Sequence, residues 1–167
     1  MSLFRVNPGV GYMIFVTVGT ILEPFDRLIR IAGELMAQSN EQLVVQHGTA
    51  SWPHVGVDAF DFLPASLIDG LIREARVVAS HGGIGTIAAC LRHRTPVVVL
   101  PRRVSLGEQV DDHQEQFVRR IASLGLVQLV ENAVELKSAL CEPIPSTARQ
   151  VGLSCRLEEA ISRAVAL

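Results

Sequence analysis

Chemically capable side chains gather in four short stretches of this 167-residue sequence. The tightest is Ser80-His81-Gly82-Gly83-Ile84-Gly85-Thr86. Glycines let a backbone approach a ligand closely. A loop running into a helix adds free N–H groups and the positive end of a dipole, which together suit phosphate. The same glycines can instead serve only a tight strand-to-helix turn. His81, inside the loop, is an ordinary structural histidine, or a donor to phosphate, or a group near the reacting carbon, which makes it the one catalytic candidate.

A second stretch is Gly19-Thr20, and a third is Arg102-Arg103. Two guanidiniums at a crevice mouth could clamp a diphosphate or a carboxylate, or stand as solvated loop charges. Fourteen of the fifteen basic residues are Arg, so position and not residue type carries that argument. The fourth stretch is Asp111-Asp112-His113-Gln114. Acids in a first helical turn are stabilised by the dipole, which accounts for Asp111. Gln114 falls on the apolar stripe Val110, Phe117, Val118, Ile121 and is expected to point inward, where a buried amide needs partners. A hydroxyl-rich ligand would supply them.

His47-Gly48 carries a weaker signal, and His54 and His93 carry none. Asp58 and Asp61 lie within one strand run, and no His pair sits at helical spacing, so no metal is expected; no cofactor is expected either.

The elements that position these stretches alternate. Residues 13–18 form a β-branched run ending at Gly19, and Pro24 then opens a helix with Phe25, Leu28, Ile29, Ala32, Leu35 and Met36 on one face. Strands are expected at 43–46, 57–62, 76–80, 96–100 and 126–130. Helices are expected over 66–74, after the glycine loop to about 92, and over 108–123, 133–140 and 147–165. Such alternation implies parallel pairing, and runs such as Val97-Val98-Val99-Leu100 imply helices on both faces. The expected fold is a doubly wound α/β domain of about six mostly parallel strands, with its ligand crevice at their carboxyl ends. Residues 1–12 are expected to be a disordered extension, with one domain over 13–167.

Composition excludes several classes. Apolar residues make up 49%, too many for a disordered chain, yet no apolar run approaches the ~18 residues that cross a bilayer. A net charge of −2 gives no electrostatic case for nucleic acid. Cys90, Cys141 and Cys155 form neither a disulfide framework nor a zinc signature.

With these stretches in place, the sequence resembles the C-terminal, donor-binding half of the family 28 glycosyltransferases. The resemblance rests on FVTVGT (15–20) with Pro24-Phe25-Asp26, on SHGGIGT (80–86), and on PRR…GEQVDDHQ (101–114). It is strongest to stand-alone subunits of two-part enzymes in dolichol-linked glycan and bacterial exopolysaccharide or capsule synthesis. It implies a Rossmann-like half of a GT-B enzyme that binds a UDP-sugar and transfers a hexose to a lipid-linked saccharide acceptor. Gly19, Thr20, His81, Gly82, Gly83, Gly85 and Thr86, with Arg102 and Arg103, would face the diphosphate. Asp112, His113 and Gln114 would face sugar or ribose hydroxyls. A membrane-anchored partner subunit would bring the acceptor, supply the general base and hold the chain at the cytoplasmic face of the membrane. Many relatives hold the ribose with a Glu in the helix after the glycine loop; here Ala88-Ala89 stands there, the main support for a non-catalytic binding module. Gly83-x-Gly85-x-x-Ala88 also matches a dinucleotide fingerprint, and Arg102-Arg103 could take a 2′-phosphate, which keeps an NADP-type module as the alternative.

Overall fold

Both side-chain directions along each central strand are apolar, so each needs its own covering layer. In β1 (Met13–Thr17), Ile14 and Val16 enter one core with Leu28, Ile29, Leu35, Val45, Ala79, Leu136 and Leu140. Met13 and Phe15 enter a second with Val44, Ile72, Val78, Ile87, Cys90, Val99, Val118 and Ile121. The period-two alternation of a strand thereby divides one apolar run between two helical layers. The computed structural model describes residues 13–110 and 113–142. The N-terminal extension, Asp111 and Asp112, Cys155 and the helix expected over 147–165 lie outside the described residues.

The chain order is β1, α1 (Asp26–Gln38), β2 (Gln42–Gln46), β3 (Asp58–Phe60), α2 (Ala65–Glu74), β4 (Val77–Ser80), α3 (Ile84–His93), β5 (Val97–Val99), α4 (His113–Ser123), β6 (Gln128–Leu129) and α5 (Ala133–Cys141). The strands form one sheet in the order β3-β2-β1-β4-β5-β6, and every pairing is parallel. Helices α1 and α5 cover one face; α2, α3 and α4 cover the other. The doubly wound α/β expectation is met.

The order reverses between β1 and β4, and in such sheets the crevice outside the carboxyl ends at that point receives the ligand. Register fixes what stands there: Thr17 pairs with Gln46 on one side and Ser80 on the other. A row of three buried polar residues therefore closes three adjacent apolar strands.

One expected helix is corrected. Residues 108–110 do not begin α4; a single 3-10 turn (Val104–Leu106) and Gly107 at φ +68° precede them. Glu108 is instead buried, its carboxylate held by Arg27 Nε and Nη2 at 2.9 and 2.8 Å and by the Arg103 N–H at 2.9 Å. That ion pair outweighs the local helical preference by fixing residue 108 against α1 from 81 positions away.

Candidate functional site

The two strands flanking the reversal end in the same way. Thr17 Oγ1 accepts the Gly19 N–H at 3.2 Å, and Ser80 Oγ accepts the Gly82 N–H at 3.1 Å. Each is a hydroxyl turn that feeds a glycine in the left-handed region, at φ +80° and +99°. Gly82 has no alternative: a Cβ there would lie 2.6 Å from Val118 Cγ2 in the core.

Between the two turns lies the His81 imidazole. A Cβ on Gly19 would sit 2.3 Å from His81 Cε1, and one on Gly83 would sit 2.5 Å from His81 Nε2. The ring thus fills the space that both glycines vacate, and its own exposure is only 4%. Burial, reinforced by the nearby Arg102 guanidinium and opposed by the backbone of Thr17, pushes its pKa down to about 4. His81 is therefore a neutral imidazole at physiological pH, able to donate from one nitrogen and accept at the other. Its Nδ1 is buried without a hydrogen-bond partner among the described residues.

Gly83 then caps α3 with no side-chain hydrogen bond to the helix start, so its first N–H groups are left to solvent or ligand. Ile84 and Gly85 are exposed, and nothing lies within 4 Å of where a Gly85 Cβ would be. Thr20, exposed, stands beyond the opposite turn, and Thr86, half-buried, lies in the first turn of α3.

The expectation of two guanidiniums standing open at the crevice mouth is corrected. Arg102 is wholly buried. Its Nη1 donates to the Glu23 and Glu108 carbonyls at 2.8 and 2.9 Å, its Nη2 to the Val18 carbonyl at 3.1 Å, and its plane lies 4.7 Å from the Phe25 ring centroid. Burial pulls its pKa down, against the charges of Glu108 and Glu23. Arg102 is therefore a fastener between the loop after β1 and the loop after β5. Arg103 is half-buried, and its Nη2 donates to the Glu131 carboxylate at 2.9 Å and the Glu131 carbonyl at 3.2 Å. The Nη donors of Arg102 are thus committed to interior carbonyls, whereas in Arg103 the ion pair with Glu131 engages Nη2.

Asp112 lies outside the described residues. His113 is exposed at the start of α4, and Gln114 is half-buried with its Oε1 enclosed and unpartnered among the described residues. The inward reading of Gln114 is met, whereas Val110 is 84% exposed and leaves the stripe assigned to it. His47 Nδ1 lies 2.7 Å from the Ala50 carbonyl, and His93 Nε2 lies 2.9 Å from Asp69, so both are structural contacts.

Two polar residues at the site escaped the sequence reading: Thr17 and Gln46. The only local signal was a hydroxyl and an amide at the carboxyl end of apolar strands. Exposed large apolar side chains also crowd this edge: Leu22 after β1, Phe62 after β3, Ile84 after β4, and Val104, Leu106 and Val110 after β5. No helix among the described residues is long and apolar enough to cross a membrane.

The model of the glycosyltransferase family 28 C-terminal domain matches residues 13–150. The chain is 30% identical over 125 residues to the UDP-N-acetylglucosamine transferase subunit ALG13 of Eremothecium gossypii, covering 74% of this chain and 60% of that protein. Among solved structures it superposes on the glycotransferase of kitacinnamycin with a TM-score of 0.68 at 20% identity, covering 96% of this chain and 42% of that one. It superposes on the solution structure of ALG13 with a TM-score of 0.50 at 17% identity, covering 83% and 92%. The chain thus spans three fifths of the curated relative and under half of the kitacinnamycin glycotransferase.

Proposed function

Because the chain belongs to the glycosyltransferase family 28 C-terminal domain family, we propose that it binds a UDP-sugar in the crevice between β1 and β4. It serves there as the donor half of a two-part hexosyltransferase. The observation that carries this reading is the convergence of two left-handed glycine turns and an uncapped helix start on one neutral, buried histidine.

A pyrophosphate at this edge would meet the free N–H groups at the start of α3, whose partial positive charge opposes its own. Neutral His81 packs behind both glycine turns without adding a charge that must be desolvated. The buried Arg102 cation, bonded to three main-chain carbonyls, adds favourable potential. In transfer, an acceptor hydroxyl oxygen attacks the anomeric carbon as the bond from that carbon to the β-phosphate oxygen breaks. The electron pair leaves with UDP, and the hydroxyl proton passes to a base. Donors fixed in advance at the departing diphosphate supply the stabilisation. The half-buried Gln114, with its open Oε1, is suited to a sugar or ribose hydroxyl, with Asp112 and His113 beside it in sequence.

The base and acceptor site belong in this reading to a partner polypeptide at the membrane, which presents a lipid-linked saccharide of a polysaccharide pathway. The apolar collar of Leu22, Phe62, Ile84, Val104, Leu106 and Val110 supports such a partner, since exposed apolar groups concentrated round one edge mark an interaction surface. ALG13 is, by its name, a subunit of a UDP-N-acetylglucosamine transferase, which supports both donor and partnership. Calorimetric titration of the purified chain with UDP, UDP-N-acetylglucosamine, dTDP and NADPH tests the reading. Binding of the uridine compounds is expected. Tight binding of NADPH with none of UDP would replace it by the dinucleotide module.

A further inference from the structure

Among the buried polar side chains of the described residues, Gln46 has no part in the donor reading, yet it is tied directly to the site. We propose that Gln46 is a positioning residue of the crevice: with Thr17 and Gly19 it closes a ring of three hydrogen bonds that holds the β1 turn against His81. The proposal rests on the reading of this crevice as the donor site.

The ring is complete in donors and acceptors. The Thr17 hydroxyl donates to Gln46 Oε1, Gln46 Nε2 donates to the Gly19 carbonyl at 2.9 Å, and the Gly19 N–H donates back to Thr17 Oγ1 at 3.2 Å. The Gly19 carbonyl can only accept, so the amide has one admissible orientation. Gln46 is 2% exposed and Thr17 1% exposed, which strengthens each bond and makes each costly to break. The residue gripped at both its N–H and its carbonyl is the glycine at φ +80° that forms one wall of the imidazole slot. Gly83 forms the other wall, 2.5 Å from His81 Nε2 to its would-be Cβ. A shift of a few tenths of an ångström in the first wall would loosen the ring and the N–H groups beside it. Preorganised donors lose their advantage when that happens.

Thr95 offers a matched comparison. It is another buried hydroxyl, donating to the Ile72 carbonyl at 2.7 Å, but it lies just before β5, at the opposite end of the strands. The test compares Gln46→Leu, Thr17→Val, Thr17→Ser and Thr95→Val in the full chain by three measurements: thermal unfolding, UDP titration and NMR titration of the His81 ring. Gln46→Leu and Thr17→Val are expected to weaken UDP at least tenfold and to raise the His81 titration midpoint towards the ordinary imidazole range. Thr17→Ser, which keeps the hydroxyl, and Thr95→Val should stay within twofold of wild type and leave His81 unmoved. If Gln46→Leu fails to fold, the Thr17→Val and Thr17→Ser pair carries the comparison. UDP affinity and His81 titration that respond no more to Gln46→Leu than to Thr95→Val would overturn the proposal. Absence of UDP binding by the wild type would refute the donor reading, while the His81 titration would still decide whether Gln46 positions the ring.

Discussion

Replacing Gly85 by alanine should raise stability and weaken donor binding at once. The site is the second residue of α3, its φ is not in the left-handed region, and a Cβ there would meet nothing within 4 Å. Nothing in the folded chain resists the methyl group, and alanine in place of glycine in a helix contributes about 0.5–1 kcal/mol. For a chain of this length that corresponds to a Tm increase of roughly 1–4 °C. The same methyl would project into the space where the reading puts a pyrophosphate. An oxygen seated on the helix N–H groups would have to retreat, and losing one charge-assisted hydrogen bond costs about 1.5–3 kcal/mol, or roughly 10- to 150-fold in Kd. Scanning calorimetry without ligand and isothermal titration with UDP read the two effects on one preparation. A raised Tm with a Kd within twofold of wild type would refute the argument, because it would show that no ligand approaches the α3 start.

Three further outcomes are expected. Arg102→Met should destabilise the chain by about 3 kcal/mol or more in urea unfolding, since it leaves the carbonyls of Val18, Glu23 and Glu108 without their donor. His81 should make stability pH-dependent: its pKa falls from 6.5 to about 4 on folding, so the unfolded chain takes up the proton first as pH drops. That contribution is complete above pH 6.5 and fades as pH falls towards 4, by about 3 kcal/mol at most, a loss that His81→Gln should lack when urea midpoints at pH 7 and 4.5 are compared. Leu106→Asp with Val110→Asp, at exposed positions, should change stability by no more than about 0.5 kcal/mol and leave UDP binding intact. The pair should nevertheless weaken association with the acceptor-bearing partner, measured by co-purification of the co-expressed pair.

The parts of the fold that depend on period were legible in the sequence. Residues 13–18 and 96–100 read as strands because both layers demand apolar residues, and α1 read as a helix because Leu28, Ile29, Ala32 and Leu35 share one face. The glycine loop was legible because strand, loop and helix follow one another in sequence. What did not show was whatever rests on a distant partner. Glu108 sits at a plausible helix start, and its ion pair with Arg27, 81 residues away, helps to hold it elsewhere. Arg102 follows a strand like a solvated loop charge, but the Val18 carbonyl that accepts from it lies 84 residues back. Gln46 read as the end of an apolar run, since its bonds to Thr17 and Gly19 span two strands. Periodicity reports which way a residue faces, and not which group it will meet.

The borders of the sheet bear on how this chain can associate. One outer strand, β3, is three residues long and the other, β6, is two. Such stubs present few unpaired backbone groups, so they are poor templates for an added strand from another molecule. Growth of the sheet sideways into dimers or fibres is thereby discouraged, even though its central strands are almost wholly aliphatic. A second protein that joins this one has most to gain by covering the greasy rim around the glycine turns, which would enclose the reacting groups in the same act.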